Sequence, residues 1–81
     1  MVDRIIEEGH LLQARGHIVA ATARIANQCL IIGKLRARGL DTRQAEACLR
    51  TMQTTLGAMQ GHKDLIEEIL AAPPAAAKRV S

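Results

Sequence analysis

The chain has 81 residues, a length that allows one domain at most. Apolar residues make up 48% of it, yet it contains no Phe, Tyr or Trp. Without aromatic rings there is no platform for stacking bases, which argues against RNA-recognition and single-strand-binding folds. The formal charge of +3 is a much smaller basic excess than a dedicated nucleic-acid binder carries.

Charged residues interrupt the apolar runs of the chain, so the sequence predicts no segment that spans a membrane. The first residues include Asp3, Arg4, Glu7 and Glu8, where a secretory signal would need an apolar stretch behind a basic start. We therefore expect a cytoplasmic protein. In that reducing compartment Cys29 and Cys48 are expected to be buried free thiols.

Helix 1 is predicted over about residues 3–38. A row of large aliphatic side chains recurs there at seven-residue intervals, as in a coiled coil. Val19, Leu12 and Leu30 flank this row, so apolar side chains cover more of helix 1 than one packing face needs. The row is the predicted dimer interface and consists of Leu11, Ile18, Ile25 and Ile32.

A tight turn is predicted over residues 39–41. Gly39 suits the left-handed residue that closes a helix, and Leu40 can fold back onto the last turn. Asp41 is the expected N-cap of the next helix, and Gln44 three residues later completes a capping-box-like pair. A helix stop followed at once by a helix start predicts an antiparallel helical hairpin.

Helix 2 is predicted over about residues 42–71. Its apolar positions alternate in steps of four and three, the spacing of a coiled-coil seam. Pro73 and Pro74 end the hairpin domain, which occupies residues 1–72, and residues 73–81 are predicted to be a mobile tail. The seam positions are Ala45, Leu49, Met52, Leu56, Met59, Lys63, Ile66 and Leu70.

A single seam between two helices buries less apolar surface than folding a chain of this length requires. The sequence therefore predicts an all-α hairpin that dimerises into a four-helix bundle. Interior glycines cost about 1 kcal/mol each relative to alanine. Those at 9, 16, 57 and 61 therefore point either to close helix packing or to simple tolerance within long helices.

The chain resembles a group of small bacterial helical-hairpin proteins that share a Gly-x-Asp-Thr turn between two amphipathic helices. The resemblance covers about residues 17–66. It implies the hairpin fold, and it implies no activity and no catalytic residues. The residues that carry it are His17-Ile18, Ile25, Gln28, Ile31, Leu35, Gly39-Leu40-Asp41-Thr42, Ala45, Leu49, Thr55-Leu56, Met59 and His62.

Two charged groups are candidate sites. Glu7 and His10 have the Glu-x-x-His spacing of helical di-iron ligands, and Glu67 and Glu68 lie roughly opposite them in a hairpin. This group is either a metal site or solvated surface charge. The second group surrounds the turn and is either an anion or nucleic-acid contact or a solvated face. It consists of Lys34, Arg36, Arg38, Arg43 and Arg50.

No nucleophile elbow, phosphate-binding loop or Cys-x-x-Cys motif occurs in the sequence. We therefore expect a non-enzymatic protein without a cofactor. It is expected to act as a homodimer and through protein–protein contacts, and the sequence leaves open a further, unidentified protein partner. We expect neither nucleic acid nor a membrane as partner. The alternatives are an anionic-ligand or nucleic-acid binder using the basic turn, and a ferritin-like metal-binding hairpin.

Overall fold

The computed structural model describes residues 3–71, and these residues form two α-helices. Helix α1 is Arg4–Ala37 and helix α2 is Arg43–Ala71. The helices pack against each other in opposite directions, and no strand occurs within residues 3–71. The predicted all-α hairpin is therefore confirmed. The predicted tail, residues 73–81, lies outside the described residues.

Helix α1 begins with a side-chain cap at Asp3. The Oδ1 atom of Asp3 accepts hydrogen bonds from the backbone N–H groups of Ile5 and Ile6, at 3.0 and 3.3 Å. These bonds satisfy two of the amides that a helix start leaves without a partner. The acidic side chain of Glu7 in the first turn also complements the positive end of the helix dipole.

Helix α1 ends at the predicted glycine. Gly39 has a φ of +69°, and its N–H donates to the carbonyl oxygen of Arg36 at 3.0 Å. The N–H of Leu40 reaches the carbonyl oxygen of Leu35 at 2.9 Å. This pair of bonds is the Schellman motif, which requires a left-handed residue at the position of Gly39. The predicted turn is confirmed.

The start of α2 differs from the prediction by one residue. The carbonyl oxygen of Thr42 accepts the first helical bond, from the N–H of Glu46 at 2.8 Å, so Thr42 is the N-cap. Asp41 lies one position earlier, and its Oδ1 accepts from the N–H of Arg43 at 2.9 Å. The predicted pairing of Asp41 with Gln44 was therefore wrong, because it counted from a cap placed one residue too early.

The two helices meet along one coiled-coil-like row from each, which we call the inner seam. On α2 its members are the eight predicted positions, all half-buried or buried, so that prediction is confirmed. On α1 the half-buried and buried residues follow the same steps of four and three. They are Glu7, Leu11, Ala14, Ile18, Ala21, Ile25, Gln28, Ile32 and Leu35.

Burial along the inner seam is shallow. Within residues 3–71 only Ala14, Ile32 and Ile66 are buried, the latter two at 5% and 3% exposure. One polar bond crosses the seam near the turn, from the Nε2 of Gln28 to the carbonyl oxygen of Ala45 at 2.9 Å. A half-buried amide bonded to the facing backbone fixes the register of the two helices, because a shifted helix would lose its acceptor.

A charged contact crosses the seam nearer its open end. The carboxylate of Glu67 lies 3.5 Å from Nη2 of Arg15 on α1 and 3.4 Å from Nζ of Lys63. The aliphatic stem of Lys63 covers the seam while its ammonium group stays at the edge. Surface ion pairs of this kind contribute about 0–1 kcal/mol, so they align the helices rather than hold them together.

Candidate interaction surface

The residues predicted as a dimer interface lie against the chain's own second helix. Ile32 is buried there, and Leu11, Ile18 and Ile25 are half-buried. They belong to the inner seam, so most of their packing is already provided within one chain. Any surface that α1 offers to a partner must therefore use other residues.

A second row of small and apolar residues runs along the exposed side of α1. It follows the same steps of four and three as the inner seam, and it contains no polar or charged residue. All ten members are exposed, including Leu12, Val19 and Leu30 at 70%, 69% and 64%. We call this row the outer stripe: Ile5, Gly9, Leu12, Gly16, Val19, Ala23, Ala26, Leu30, Gly33 and Ala37.

Helix α2 has no such row. Five of its nine exposed positions at the corresponding spacing are polar or charged, with basic residues near the turn and acidic residues near the open end, and the other four are glycine or alanine. An amphipathic surface helix normally has this composition, with one apolar face and one solvated face. The residues are Arg43, Ala47, Arg50, Thr54, Gly57, Gly61, Asp64, Glu68 and Ala71.

Packing among residues 3–71 does not explain the glycines of α1. A Cβ atom added at Gly9, Gly16 or Gly33 would meet no heavy atom within 4 Å. All three belong to the outer stripe. Each of them costs about 1 kcal/mol relative to alanine in a helix interior. Because no atom of α2 lies close to them, contact between α1 and α2 does not account for this cost.

The basic residues around the turn are partly neutralised by their neighbours. Arg36 forms a hydrogen-bonded ion pair with Glu46, and Arg43 pairs with Asp41 at 2.8 Å. Hydrogen bonds from the Arg43 side chain, and then from its backbone N–H, hold the pKa of the Asp41 carboxyl below its usual 3.8. Any stabilisation from this carboxylate is present above pH 3.8 and is lost as the pH falls through the lowered pKa.

The remaining three residues of the predicted anion site do not form a pocket together. Lys34 and Arg38 lie at the end of α1 and are exposed, and Arg50 lies on the outer face of α2. Arg50 borders a shallow surface depression with three threonine side chains. Contact of this group with a nucleic acid or another anion stays a prediction.

The four predicted metal ligands do not form a metal site within one chain. His10 and Glu7 approach each other, with Nδ1 and Oε1 3.6 Å apart. Glu67 is occupied by Arg15 and Lys63 as described above, and Glu68 is exposed on α2. No group of three or more His, Cys, Asp and Glu side chains within residues 3–71 is arranged to hold a metal ion. A site shared between two chains stays a prediction.

Both cysteines are free thiols, as predicted, but they are exposed rather than buried. Cys29 follows the seam residue Gln28 and Cys48 precedes the seam residue Leu49. One residue corresponds to about 100° of rotation around a helix, which takes both thiols off the inner seam.

Helix α1 meets the length and composition criteria for a membrane-spanning helix. It contains an 18-residue window with a mean hydropathy of 1.3, of which 6% is buried. By these two criteria α1 qualifies as a candidate span although charges interrupt it, and the absence of a membrane-spanning segment stays a prediction. Helix α1 qualifies because the outer stripe makes it apolar on two faces. A long helix with two packing faces meets the same criteria without entering a bilayer.

Comparison with known proteins gives no relative: no family model, no curated protein and no solved structure matches this chain. The resemblance to bacterial hairpin proteins with a Gly-x-Asp-Thr turn thus stays a prediction.

The sequence analysis recognised that apolar side chains cover more of helix 1 than one packing face needs, but it assigned the partner contact to the residues of the inner seam and did not identify the outer stripe. A signal for it was present in the sequence, because a second set of positions in α1 repeats in steps of four and three without a polar residue.

Proposed function

We propose that this protein is a non-enzymatic assembly protein that acts as a homodimer, with the outer stripe of α1 packed against a second copy of the chain. The observation that carries the proposal is the exposure of ten consecutive stripe positions, none of them polar. Monomeric proteins rarely leave a continuous apolar surface of this length in water.

The shape of the outer stripe favours a helix as its partner. It is a straight row along a helix of 34 residues, about 50 Å long, with coiled-coil spacing throughout. Glycine and alanine make up six of its ten positions, and small residues let two helix backbones approach closely. A small-molecule site would instead be a concave pocket with a few converging polar groups.

A second copy fits better than a lipid bilayer. Arg24 lies in the middle of α1, between Arg15 and Lys34. An arginine at the centre of a membrane span costs about 2.5–3.5 kcal/mol on insertion scales. In a soluble dimer Arg24 keeps its contact with water, because it lies on neither the inner seam nor the outer stripe.

The charge distribution also favours a second copy. The turn end carries five basic residues, the predicted anion group, against Asp41 and Glu46. The open end carries six acidic residues, Asp3, Glu7, Glu8, Asp64, Glu67 and Glu68, against Arg4 and Lys63. Each end of one hairpin is therefore complementary to the opposite end of another, and such complementarity selects between partners and orientations.

Light scattering on the purified chain tests the proposal. We expect twice the chain mass for the unmodified protein, and the chain mass for Val19→Glu, because the new carboxylate would be buried in the dimer without a partner. The matched control is Thr54→Glu, which adds the same charge on the outer face of α2 and should leave the dimer intact.

Two results would overturn the proposal. One is a monomer at all concentrations up to about 100 μM, a range that covers micromolar dissociation constants. The other is a dimer that Val19→Glu and Thr54→Glu affect equally. Flotation of the monomer with phosphatidylcholine vesicles would then assign the outer stripe to a lipid surface instead.

A further inference from the structure

We infer that the dimer is an open layer of four helices in the order α2, α1, α1, α2, with the two central α1 helices antiparallel. This inference rests on the proposed homodimer and specifies how its two copies meet. The sequence predicted a four-helix bundle without specifying its arrangement, and the open layer is an alternative to a closed bundle.

The placement of the two rows around α1 leads to the layer. Seven residues make two helical turns, so one residue corresponds to about 100° of rotation. By this geometry the centre of the outer stripe lies about 150° around α1 from the inner seam. A closed bundle needs each helix to contact its two neighbours on adjacent faces, all directed at one shared core. Rows on nearly opposite faces instead place α1 between its own α2 and the other copy.

The antiparallel direction follows from the charges beside the stripe. When all ten stripe residues are paired antiparallel, facing residues have numbers that add up to 42, and Leu12 faces Leu30 of the partner subunit. Glu8, next to the stripe at the open end, then lies beside Arg36 of the partner subunit. A parallel pair would place Lys34, Arg36 and Arg38 beside their own copies, and like charges penalise that arrangement.

The same register matches the sizes of the side chains. Gly16 faces Ala26 of the partner subunit, and Val19 faces Ala23 of the partner subunit. The largest side chains, Leu12 and Leu30, meet each other on both sides of this small-residue centre. The α1 axes can therefore come close at the middle, while the leucines fill the space towards the ends. This accounts for Gly16, which has no close neighbour among residues 3–71 of its own chain.

Disulfide trapping tests the layer. In a chain with Cys29→Ser and Cys48→Ser, we compare Leu12→Cys alone, Leu30→Cys alone and an equimolar mixture of the two under mild oxidation. We expect a disulfide-linked dimer as the main product of the mixture and little from either variant alone. Since Leu12→Cys and Leu30→Cys remove stripe contacts, Thr22→Cys serves as a second probe. Thr22 lies beside the stripe near the twofold axis and should cross-link to its own copy through a short bis-maleimide.

Each other outcome has a distinct meaning. Self-linking of Leu12→Cys would overturn the antiparallel direction. The closed bundle would be restored by a different set of results. In it, light scattering gives the mass of a dimer, Ile18→Cys cross-links, and the stripe and Thr22 probes do not, because Ile18 lies on the inner seam. If light scattering gives the mass of a monomer for the unmodified chain, the proposed function itself is rejected.

Discussion

The outer faces of the two helices differ much more than their inner faces. Both inner faces carry the apolar row, spaced in steps of four and three, that an antiparallel hairpin needs. The outer row of α2 includes arginine, threonine and acidic residues, whereas the outer stripe of α1 consists only of glycine, alanine and larger aliphatic residues. A hairpin requires one apolar face from each helix, and α1 has a second apolar row that the contact with α2 does not use.

The comparison also bears on stability. With three buried residues within 3–71, the hairpin has a thin core. A helix pair of this size buries little surface, and small domains commonly rely on oligomerisation to compensate. Covering the outer stripe would move part of the stabilisation from within the chain to the contact between copies. Unfolding would then depend on protein concentration.

The largest expected effect separates the two faces of α1. Ile32→Ala should lower the free energy of unfolding by about 2–5 kcal/mol at every protein concentration, because Ile32 is 5% exposed on the inner seam. Leu30→Ala, two residues earlier on the outer stripe, should act only at concentrations where the dimer forms. Urea unfolding of both variants over a hundredfold range of concentration measures the difference. A concentration-independent loss at Leu30 would show that the comparison of faces is wrong.

The next largest effect concerns the turn, which joins the two helices whose inner faces pack together. Gly39→Val should destabilise the hairpin by about 1–2 kcal/mol, because a β-branched residue is strained at a φ of +69°. No heavy atom lies within 4 Å of the added Cβ, so the cost comes from the backbone conformation. Thermal unfolding measures it, and an unchanged melting temperature would show that Gly39 is not needed to close α1.

The smallest effect compares one glycine from each outer face. Gly57→Ala on α2 should stabilise the protein by about 0.5–1 kcal/mol, because the added methyl group meets only open space and alanine favours the helix. Gly16→Ala on α1 has the same open surroundings within the chain, yet it should weaken the dimer, because the helices approach each other there. Equal stabilisation by both substitutions, at concentrations where the dimer forms, would argue that no helix packs closely on Gly16.

Much of the hairpin was predictable because the glycine of the turn and the seam of α2 each give a clear signal. Gly39 is followed by an apolar residue and a capping segment, and only a left-handed glycine fits that order. The seam of α2 is flanked mostly by polar or small residues, with Leu65 and Ile69 beside it near the open end, and its spacing was enough to identify its eight positions. The one-residue error at Asp41 arose because Asp41 and Thr42 are adjacent residues that are both good caps.

The faces of α1 were harder to predict for a physical reason. Periodicity finds an apolar row but does not say what covers it, and α1 has two such rows. The larger side chains of Ile18, Ile25 and Ile32 suggested the dimer interface, whereas the structure packs them against α2. The exposure of both cysteines and the separation of the predicted metal ligands likewise depend on the rotation of each helix about its axis, which spacing along the chain does not determine.

The most direct test of the central claim is the distance between two spin labels attached at Arg38. In a chain with Arg38→Cys, Cys29→Ser and Cys48→Ser, double electron–electron resonance measures the separation between the two copies. In the antiparallel register Arg38 faces Arg4 of the partner subunit, which lies 34 residues from the label at position 38 of that chain. At about 1.5 Å per residue, the two labels are therefore about 50 Å apart. A short distance would contradict the antiparallel arrangement, and the absence of any dipolar coupling at dimer-forming concentrations would contradict the dimer.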